Sequence, residues 1–159
     1  MSDDTQSIGL PGSRPPEKRP GARRGRRGSA VMESALALPV LLYFSMGMIE
    51  FGQYLYAKHT VQSASRDGCR QAILGAATQA GATAAVSKTM SAAGFTSSGY
   101  TLTFTNPSGG ATYSDISTVA AGASIETTVT VNYGSVGVRP LGVIPATKKL
   151  IGTTTMIKE

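Results

Sequence analysis

The stretch that decides the fold of this chain is Arg26-Arg27-Gly28-Ser29-Ala30-Val31-Met32-Glu33. A basic segment rich in proline and glycine ends at Gly28, and a long apolar segment begins directly after it. Inside the apolar segment, at the fifth position past Gly28, lies the carboxylate of Glu33. A charge near the start of a membrane-spanning helix costs free energy, so an ionisable residue there is a candidate for a functional role.

The positive charge of the chain is concentrated in the segment before this junction. Residues 1–28 carry seven Arg and Lys against three Asp and Glu, for a net charge of +4, whereas residues 29–159 carry eight against six, for +2. A basic run can bind nucleic-acid phosphates, but a basic flank directly before an apolar helix is typical of the cytoplasmic side of a membrane segment. We therefore expect residues 1–28 to be a disordered cytoplasmic leader with no nucleic-acid partner.

A helix that spans the lipid bilayer is predicted directly after the leader. From Val31 to Tyr56 the chain is apolar enough and, at 1.5 Å per residue, long enough to cross a hydrocarbon core of ~30 Å. Pro39 removes a backbone donor and is expected to kink this helix. Glu50 is interpreted as the end of the span, near the outer interface. With the basic leader inside the cell, residues 58–159 are expected outside the inner membrane.

The helix is predicted to continue beyond the membrane, from about Ala30 to Ala77, within a helical region at 29–79. Small or apolar residues recur on one face every three or four positions, which is the period of a helix. A ridge of small residues within this face lets another backbone or sheet approach closely, and it consists of Ala64, Gly68, Ala72 and Ala76. A helix of this length is on the order of 70 Å long, so its N-terminal half has to be covered by lipid or by neighbouring copies.

Residues 80–159 are predicted to form a small extracytoplasmic α+β domain. A short helix is expected over residues 80–93, with Gly94 as its C-terminal stop. Alternating side chains mark three strands and a Gly/Pro-rich loop precedes the last of them, with the strands at 100–104, 125–133 and 150–158 and the loop at 134–147. Helices followed by strands predict the α+β class, with a three-stranded antiparallel sheet packed on the helical spine. The pairing order of the strands stays open.

No arrangement of residues in the sequence predicts catalysis, a metal site or a cofactor. His59 is the single histidine, and its helical position near the polar face favours a solvated side chain. Ser63 and Asp67 lie on the same helix, but one straight helix cannot bring three such groups into a catalytic triad. Cys69 is the single cysteine, for which we expect a packed side chain, with an intermolecular bridge or a reactive thiol as the alternative. The chain is not expected to be an enzyme.

Three segments of the sequence carry a family resemblance. They are Arg26-Arg27-Gly28-Ser29-Ala30-Val31-Met32-Glu33-Ser34-Ala35-Leu36-Ala37-Leu38-Pro39-Val40-Leu41-Leu42, Gly47-Met48-Ile49-Glu50-Phe51-Gly52-Gln53 and Ala64-Ser65-Arg66-Asp67-Gly68-Cys69-Arg70. In this order and spacing they resemble the TadE-like proteins, which are pilin-like (pseudopilin) components of the bacterial Tad (tight adherence, Flp) pilus machinery. The resemblance covers about residues 26–72, and the strand-rich remainder is compatible with it in pattern only.

The resemblance implies a leader cleavage site and a subunit contact. Gly28 would be the last leader residue, and Ser29 would become the first mature residue after cleavage by a prepilin peptidase. Glu33 would then be the fifth mature residue and would face the α-amino group of Ser29 on an adjacent subunit. A carboxylate and an ammonium in a low dielectric are tolerable together and costly apart. The implied partners are other pilin-like subunits and the Tad inner-membrane assembly proteins.

The implied function is that of a structural or assembly component, a minor pilin or pseudopilin, of a Tad pilus involved in adhesion or secretion. The 28-residue leader is long, and Met32 and Ser34 need not match the major-pilin pattern, so a minor subunit, an assembly factor and a surface variant all stay open. The alternative is a single-pass membrane-anchored periplasmic binding module with an uncleaved signal anchor, in which Glu33 snorkels to the membrane edge. The mature N-terminus distinguishes the two, because only the first predicts Ser29 there.

Overall fold

The structure of the chain is a computed structural model that describes residues 25–95 and 99–159. The elements follow in the order α1 (Gly25–Ala72), α2 (Gln79–Ala92), β1 (Tyr100–Thr105), a 3-10 turn (Ile116–Thr118), β2 (Ser124–Asn132), the one-turn helix α3 (Tyr133–Val136) and β3 (Lys149–Ile157). The predicted α+β class, with a long helix, a short helix and a three-stranded antiparallel sheet, is confirmed. Residues 1–24, most of the predicted leader, lie outside the described residues.

Helix α1 has 48 residues and continues through Pro39. It is rich in alanine, leucine and methionine, which are strong helix formers. The helix begins at Gly25 and ends at Ala72, so both ends lie five residues before the predicted ones. A turn follows, in which Ala77 N donates to Leu74 O at 2.9 Å. Within α1, between Leu38 and Pro39, the chain divides into two units, the second of which holds α2 and the sheet.

Helix α2 begins at a side-chain cap and ends at a glycine. The Thr78 hydroxyl accepts a hydrogen bond from Gly81 N at 3.1 Å, which satisfies one of the free N–H groups of the first turn. Gly94 follows the helix with φ +82°, a left-handed conformation that favours glycine. Both ends agree with the prediction to within one residue, and the buried face carries Ala82, Val86 and Met90.

The sheet has the order β1-β2-β3, and both strand pairs are antiparallel. Successive side chains of a strand point to opposite faces, so alternate residues of the central strand β2 are buried, namely Ile125, Thr127, Val129 and Val131. Each end of the predicted strands agrees with the structure to within one residue. At the end of β2 the difference is Tyr133, which begins α3 instead of ending the strand. The turn after β1 closes through Gly110 N, which donates to Asn106 O at 2.8 Å.

Two glycines let the sheet and the helices approach closely. A Cβ added at Gly152 of β3 would lie 2.5 Å from Val61 O of α1, and one added at Gly68 of α1 would collide with the Val86 side chain of α2. The main cluster of buried residues therefore joins α1, α2 and the sheet, and it contains Ala57, Val61, Ala64, Val86, Met90, Phe95, Val129, Val131, Tyr133 and Leu150. The C-terminal half of α1 is thus part of the core of the second unit.

We predict that Gly152→Ala lowers the free energy of unfolding by about 1–3 kcal/mol, the usual cost of overpacking a tight core. The backbone carbonyl of Val61 has no freedom to rotate away as a side chain would. Gly75→Ala is the matched control, because nothing lies within 4 Å of a Cβ added there. Chemical unfolding of the full chain in detergent measures both variants, and equal stability of Gly152→Ala and the unmodified chain would contradict the packing described.

Candidate functional site

Helix α1 has two environments along its length. From Gly28 to Ile49 every residue is exposed apart from Gly47, which is half-buried, whereas from Glu50 onwards buried residues recur every three or four positions. The exposed part includes large apolar side chains such as Leu36 and Phe44, at 77% and 69% exposure. Among the described residues, the helical stretch Gly28–Ala72 is long and apolar enough to cross a membrane. The exposed segment is therefore consistent with a membrane anchor.

The residues of the predicted cleavage site lie within the first turns of α1. Gly28, Ser29 and Glu33 are all helical and exposed. Ser29 and Glu33 are four residues apart, so they lie on the same face of the helix one turn from each other. Because the Gly28–Ser29 bond is helical, a peptidase that cuts it has to unwind this end first, and glycine, a poor helix former, lowers the cost of doing so.

The predicted packing face is present at three of its four positions. Ala64, Gly68 and Ala72 are buried, and Gly68 approaches Val86 of α2 and Thr127 of β2. The prediction for Ala76 is wrong: α1 ends at Ala72, so the fourfold repeat stops and Ala76 is exposed in the following turn. This ridge is used in the packing of the chain's own domain.

His59 and Cys69, two side chains of α1 considered for chemistry, lie in different surroundings. His59 is exposed. Cys69 is fully buried, its thiol donates to Ile125 O at 3.5 Å, and burial raises its pKa, which disfavours the thiolate that a reactive cysteine requires. Within residues 28–95 and 99–159, no three His, Cys, Asp or Glu side chains come together as metal ligands.

The most unusual side chain of α1 is the carboxylate of Glu50, which is only 1% exposed although it follows an exposed apolar run. Its two oxygens accept hydrogen bonds from two backbone N–H groups of the segment between α3 and β3: Oε1 from Ile144 at 2.7 Å and Oε2 from Leu141 at 3.1 Å. Hydrogen bonds to a carboxylate are roughly twice as strong as neutral ones. We call residues 137–148 the α3–β3 loop; Glu50 fastens this loop to α1.

Tyr133, at the start of α3, reinforces the same junction. Its hydroxyl donates to the backbone oxygen of Glu50 at 3.1 Å, and its ring meets Tyr54 edge to face, with 5.5 Å between ring centroids. Burial raises the pKa of Tyr133, and the negative charge of Glu50 raises it further. Because the neutral hydroxyl is favoured in the fold, its contribution to stability is present below the ordinary tyrosine pKa and is lost as pH rises above it.

The interpretation of Glu50 as only the end of a membrane span is therefore wrong. A signal for its burial exists in the sequence: Glu50 lies four residues before Tyr54, so it extends the face of Tyr54, Ala57 and Val61 by one turn. The two N–H donors to Glu50 could not be predicted from the sequence in the same way, since they lie 91 and 94 residues away in the chain.

Comparison with protein families finds a family model that matches the segment containing Glu33 and Glu50. The family model of TadE-like proteins matches residues 28–70. This segment is TadE-like. No curated protein and no solved structure gives a significant match to the chain. The TadE-like segment begins at Gly28 and takes in almost all of α1, while α2 and the sheet lie outside it.

We predict that Glu50→Ala in the TadE-like segment releases the α3–β3 loop. Hydrogen exchange at the amides of Leu141 and Ile144 should become roughly ten- to a hundredfold faster, since a hydrogen bond to a charged group contributes about 1.5–3 kcal/mol. Glu50→Gln retains one carbonyl oxygen and should give an intermediate rate. Gln53→Ala, an exposed position on the same helix, is the control. Unchanged exchange in Glu50→Ala would show that the carboxylate does not hold the loop.

Proposed function

We propose that this protein is a membrane-anchored, pilin-like component of a Tad-type pilus apparatus, with a structural or assembly role in adhesion or secretion and no catalytic one. The observation that carries the proposal is the TadE-like segment itself, whose first part, from Gly28 to Ile49, is an exposed apolar helix with one carboxylate, Glu33, near its start. A helix with this surface requires lipid or other helices around it, because apolar side chains exposed in water cost free energy.

The proposed location is the inner membrane of a bacterium, with a single pass and residues 58–159 outside the cytoplasm. Seven basic residues precede the apolar segment, and only Lys58, Arg66 and Arg70 follow it on the remainder of α1. Basic flanks are retained on the cytoplasmic side of membranes. The sheet and α2 would then reach the extracytoplasmic side, where the proposed partners are other pilin-like subunits and the Tad assembly proteins.

Glu33 is proposed as the residue that sets subunit register. Once a prepilin peptidase has cut after Gly28, the α-amino group of Ser29 is a cation at the end of an apolar helix. In a bundle of such helices, that cation requires an anionic partner, and Glu33 of a neighbouring subunit that is displaced along the bundle by about one helical turn supplies one. The exposure of Glu33 supports this role, because a carboxylate buried in its own domain could not reach a neighbour.

We predict that Gly28→Leu blocks processing. A peptidase subsite that accepts no side chain rejects leucine, so the protein extracted from membranes should keep its leader and be heavier by residues 1–28. Gly52→Leu is the matched control, since it places the same side chain on an exposed glycine of α1 with nothing within 4 Å of the added Cβ. Intact mass spectrometry measures both variants, and a Gly28→Leu protein of mature mass would refute the cleavage site.

We predict that Glu33→Ala separates assembly from anchoring. Removing one partner of a buried ion pair costs about 3–5 kcal/mol, so assembly should fall by orders of magnitude. Insertion into the membrane should be retained or improved, because a charge has left the apolar segment. The measurement pairs membrane-fraction abundance with pilus-dependent adhesion and crosslinking between subunits, in Glu33→Ala and Glu33→Gln cells.

Ser34→Ala is the control for the Glu33 variants, because Ser34 is the exposed neighbour on the same helix. It should leave both abundance and assembly unchanged. Normal adhesion and crosslinking in both Glu33 variants would remove the assembly role and leave a plain membrane anchor.

A further inference from the structure

We infer that the α3–β3 loop, residues 137–148, inserts into the outer leaflet of the membrane that α1 spans, with Val138 and Val143 at the boundary between headgroups and acyl chains. The inference rests on the proposed membrane insertion of α1. It adds a second lipid-contacting element to the single helix and gives Glu50 a reason to be buried.

The first step is the position of the loop along α1. The Leu141 side chain lies against the part of the helix that precedes Glu50: it shares an apolar cavity with Pro39, Leu42, Tyr43 and Met46, and its Cδ1 would be 3.9 Å from a Cβ added at Gly47. Residues 39–46 precede Glu50 by 4 to 11 positions, about 6–16 Å along the helix axis at 1.5 Å per residue. The loop therefore extends from Glu50 towards the exposed apolar segment.

The second step is the depth of that segment in a bilayer. The run Val31–Ile49, which ends directly before Glu50, is apolar apart from Glu33 near its start and a few small polar residues. Its length of roughly 28 Å matches a hydrocarbon core of ~30 Å. Glu50 then lies at the outer edge of the hydrocarbon. Because Leu141 lies on the membrane side of Glu50, the loop that carries it has to enter the outer boundary layer of the bilayer.

The third step is the chemistry of the loop surface. Val138 and Val143 are 64% and 72% exposed, which is unfavourable in water and favourable at the depth of about 5–10 Å that interfacial segments reach. Gly142, with φ +66°, separates Val143 from Leu141, which faces α1. Arg139 is also exposed, and its long side chain can keep the guanidinium among lipid phosphates while its stem stays in the apolar layer.

The fourth step is the state of the loop backbone. A backbone N–H without a partner costs several kcal/mol at a depth where water is scarce, so irregular chain enters membranes only when its polar groups are satisfied. Glu50 accepts from the N–H groups of Leu141 and Ile144, which lie two residues before and one residue after the exposed Val143. The buried carboxylate thus satisfies two of the N–H groups of this loop, which lowers the cost of its contact with the membrane.

The occupant of this surface is lipid because the surface is continuous with the helix that spans the bilayer. Met48, Ile49 and Phe51, on either side of Glu50 in α1, are 64%, 51% and 58% exposed. Val138 and Val143 are exposed apolar residues of the loop that Glu50 holds against this part of α1. A neighbouring subunit that covered the loop instead would give a different result in the experiment below.

Because the sequence contains no tryptophan, a single introduced tryptophan reports its own surroundings. Val143→Trp probes the loop, Phe44→Trp is a reference within the proposed span, and Ile157→Trp is a control at an exposed apolar residue near the end of β3, 64% exposed like Val138. Each full-length variant is reconstituted into phosphatidylcholine vesicles, with bromine atoms either near the headgroup end or near the tail end of the acyl chains.

The inference predicts that Val143→Trp emits at a shorter wavelength than Ile157→Trp. Bromines near the headgroup end should quench more than half of the Val143→Trp fluorescence, and bromines near the tail end should quench a smaller fraction of it. Phe44→Trp should be quenched by bromines at either position. If Phe44→Trp is quenched but Val143→Trp is not, the loop inference is overturned and the membrane anchor is retained. This holds whether Val143→Trp emits as in water or at a wavelength shifted by a neighbouring protein. Absence of quenching in Phe44→Trp would refute the anchor and the inference with it.

Discussion

The structure depends on the pair of hydrogen bonds that Ile144 and Leu141 donate to the carboxylate of Glu50, at 2.7 and 3.1 Å. A buried carboxylate without donors is among the most costly groups in a protein. Here each oxygen has a backbone donor, and the hydroxyl of Tyr133 satisfies the backbone oxygen of the same residue. Glu50 consequently fixes the point at which α1 stops being an exposed apolar helix and becomes part of the domain core.

The two carboxylates of the apolar segment differ in where their partners come from. Glu50 obtains its donors from its own chain, and its burial closes the domain around α1. Glu33 is exposed on the free part of the helix, where the proposed partner is the amino group of another subunit. The same kind of side chain therefore serves intrachain packing at one end of the segment and, in the proposed function, assembly between chains at the other.

The close approach of β3 to α1 is the second constraint, since Gly152 lies against the backbone of Val61. It brings the sheet onto the face of α1 that begins at Glu50. Ala64, Gly68 and Ala72 continue that face and are buried. The N-terminal part of α1 is thus free and the C-terminal part packed because the face that contacts the sheet begins only at Glu50. The secondary structure does not change at this point, since both parts belong to one helix.

Helices α1 and α2 and the three strands could be predicted from the sequence because each leaves a local signal: the apolar run for α1, Gly94 as the stop of α2, and alternation of side chains for the strands. The one-turn helix α3 could not, because four residues are too few to show a helical period. The position of Ala76 could not, because the repeat of small residues continues in sequence past Ala72, where the helix ends. The sequence places Glu50 on the correct helix but does not show that its side chain joins that helix to the α3–β3 loop. Its donors lie in an irregular loop, and irregular loops leave no periodic signal from which a distant contact can be predicted.

The measurement that tests this account most directly is a double-mutant cycle between Glu50 and the backbone of Ile144. Incorporating the α-hydroxy analogue of isoleucine at position 144 replaces its N–H by an ester oxygen and removes the donor without altering the side chain. Combined with Glu50→Ala, and read as free energies of unfolding of the full chain in detergent, the cycle should give a coupling energy of about 1.5–3 kcal/mol. A coupling energy near zero would contradict the claim that the Glu50 carboxylate fastens the α3–β3 loop to α1.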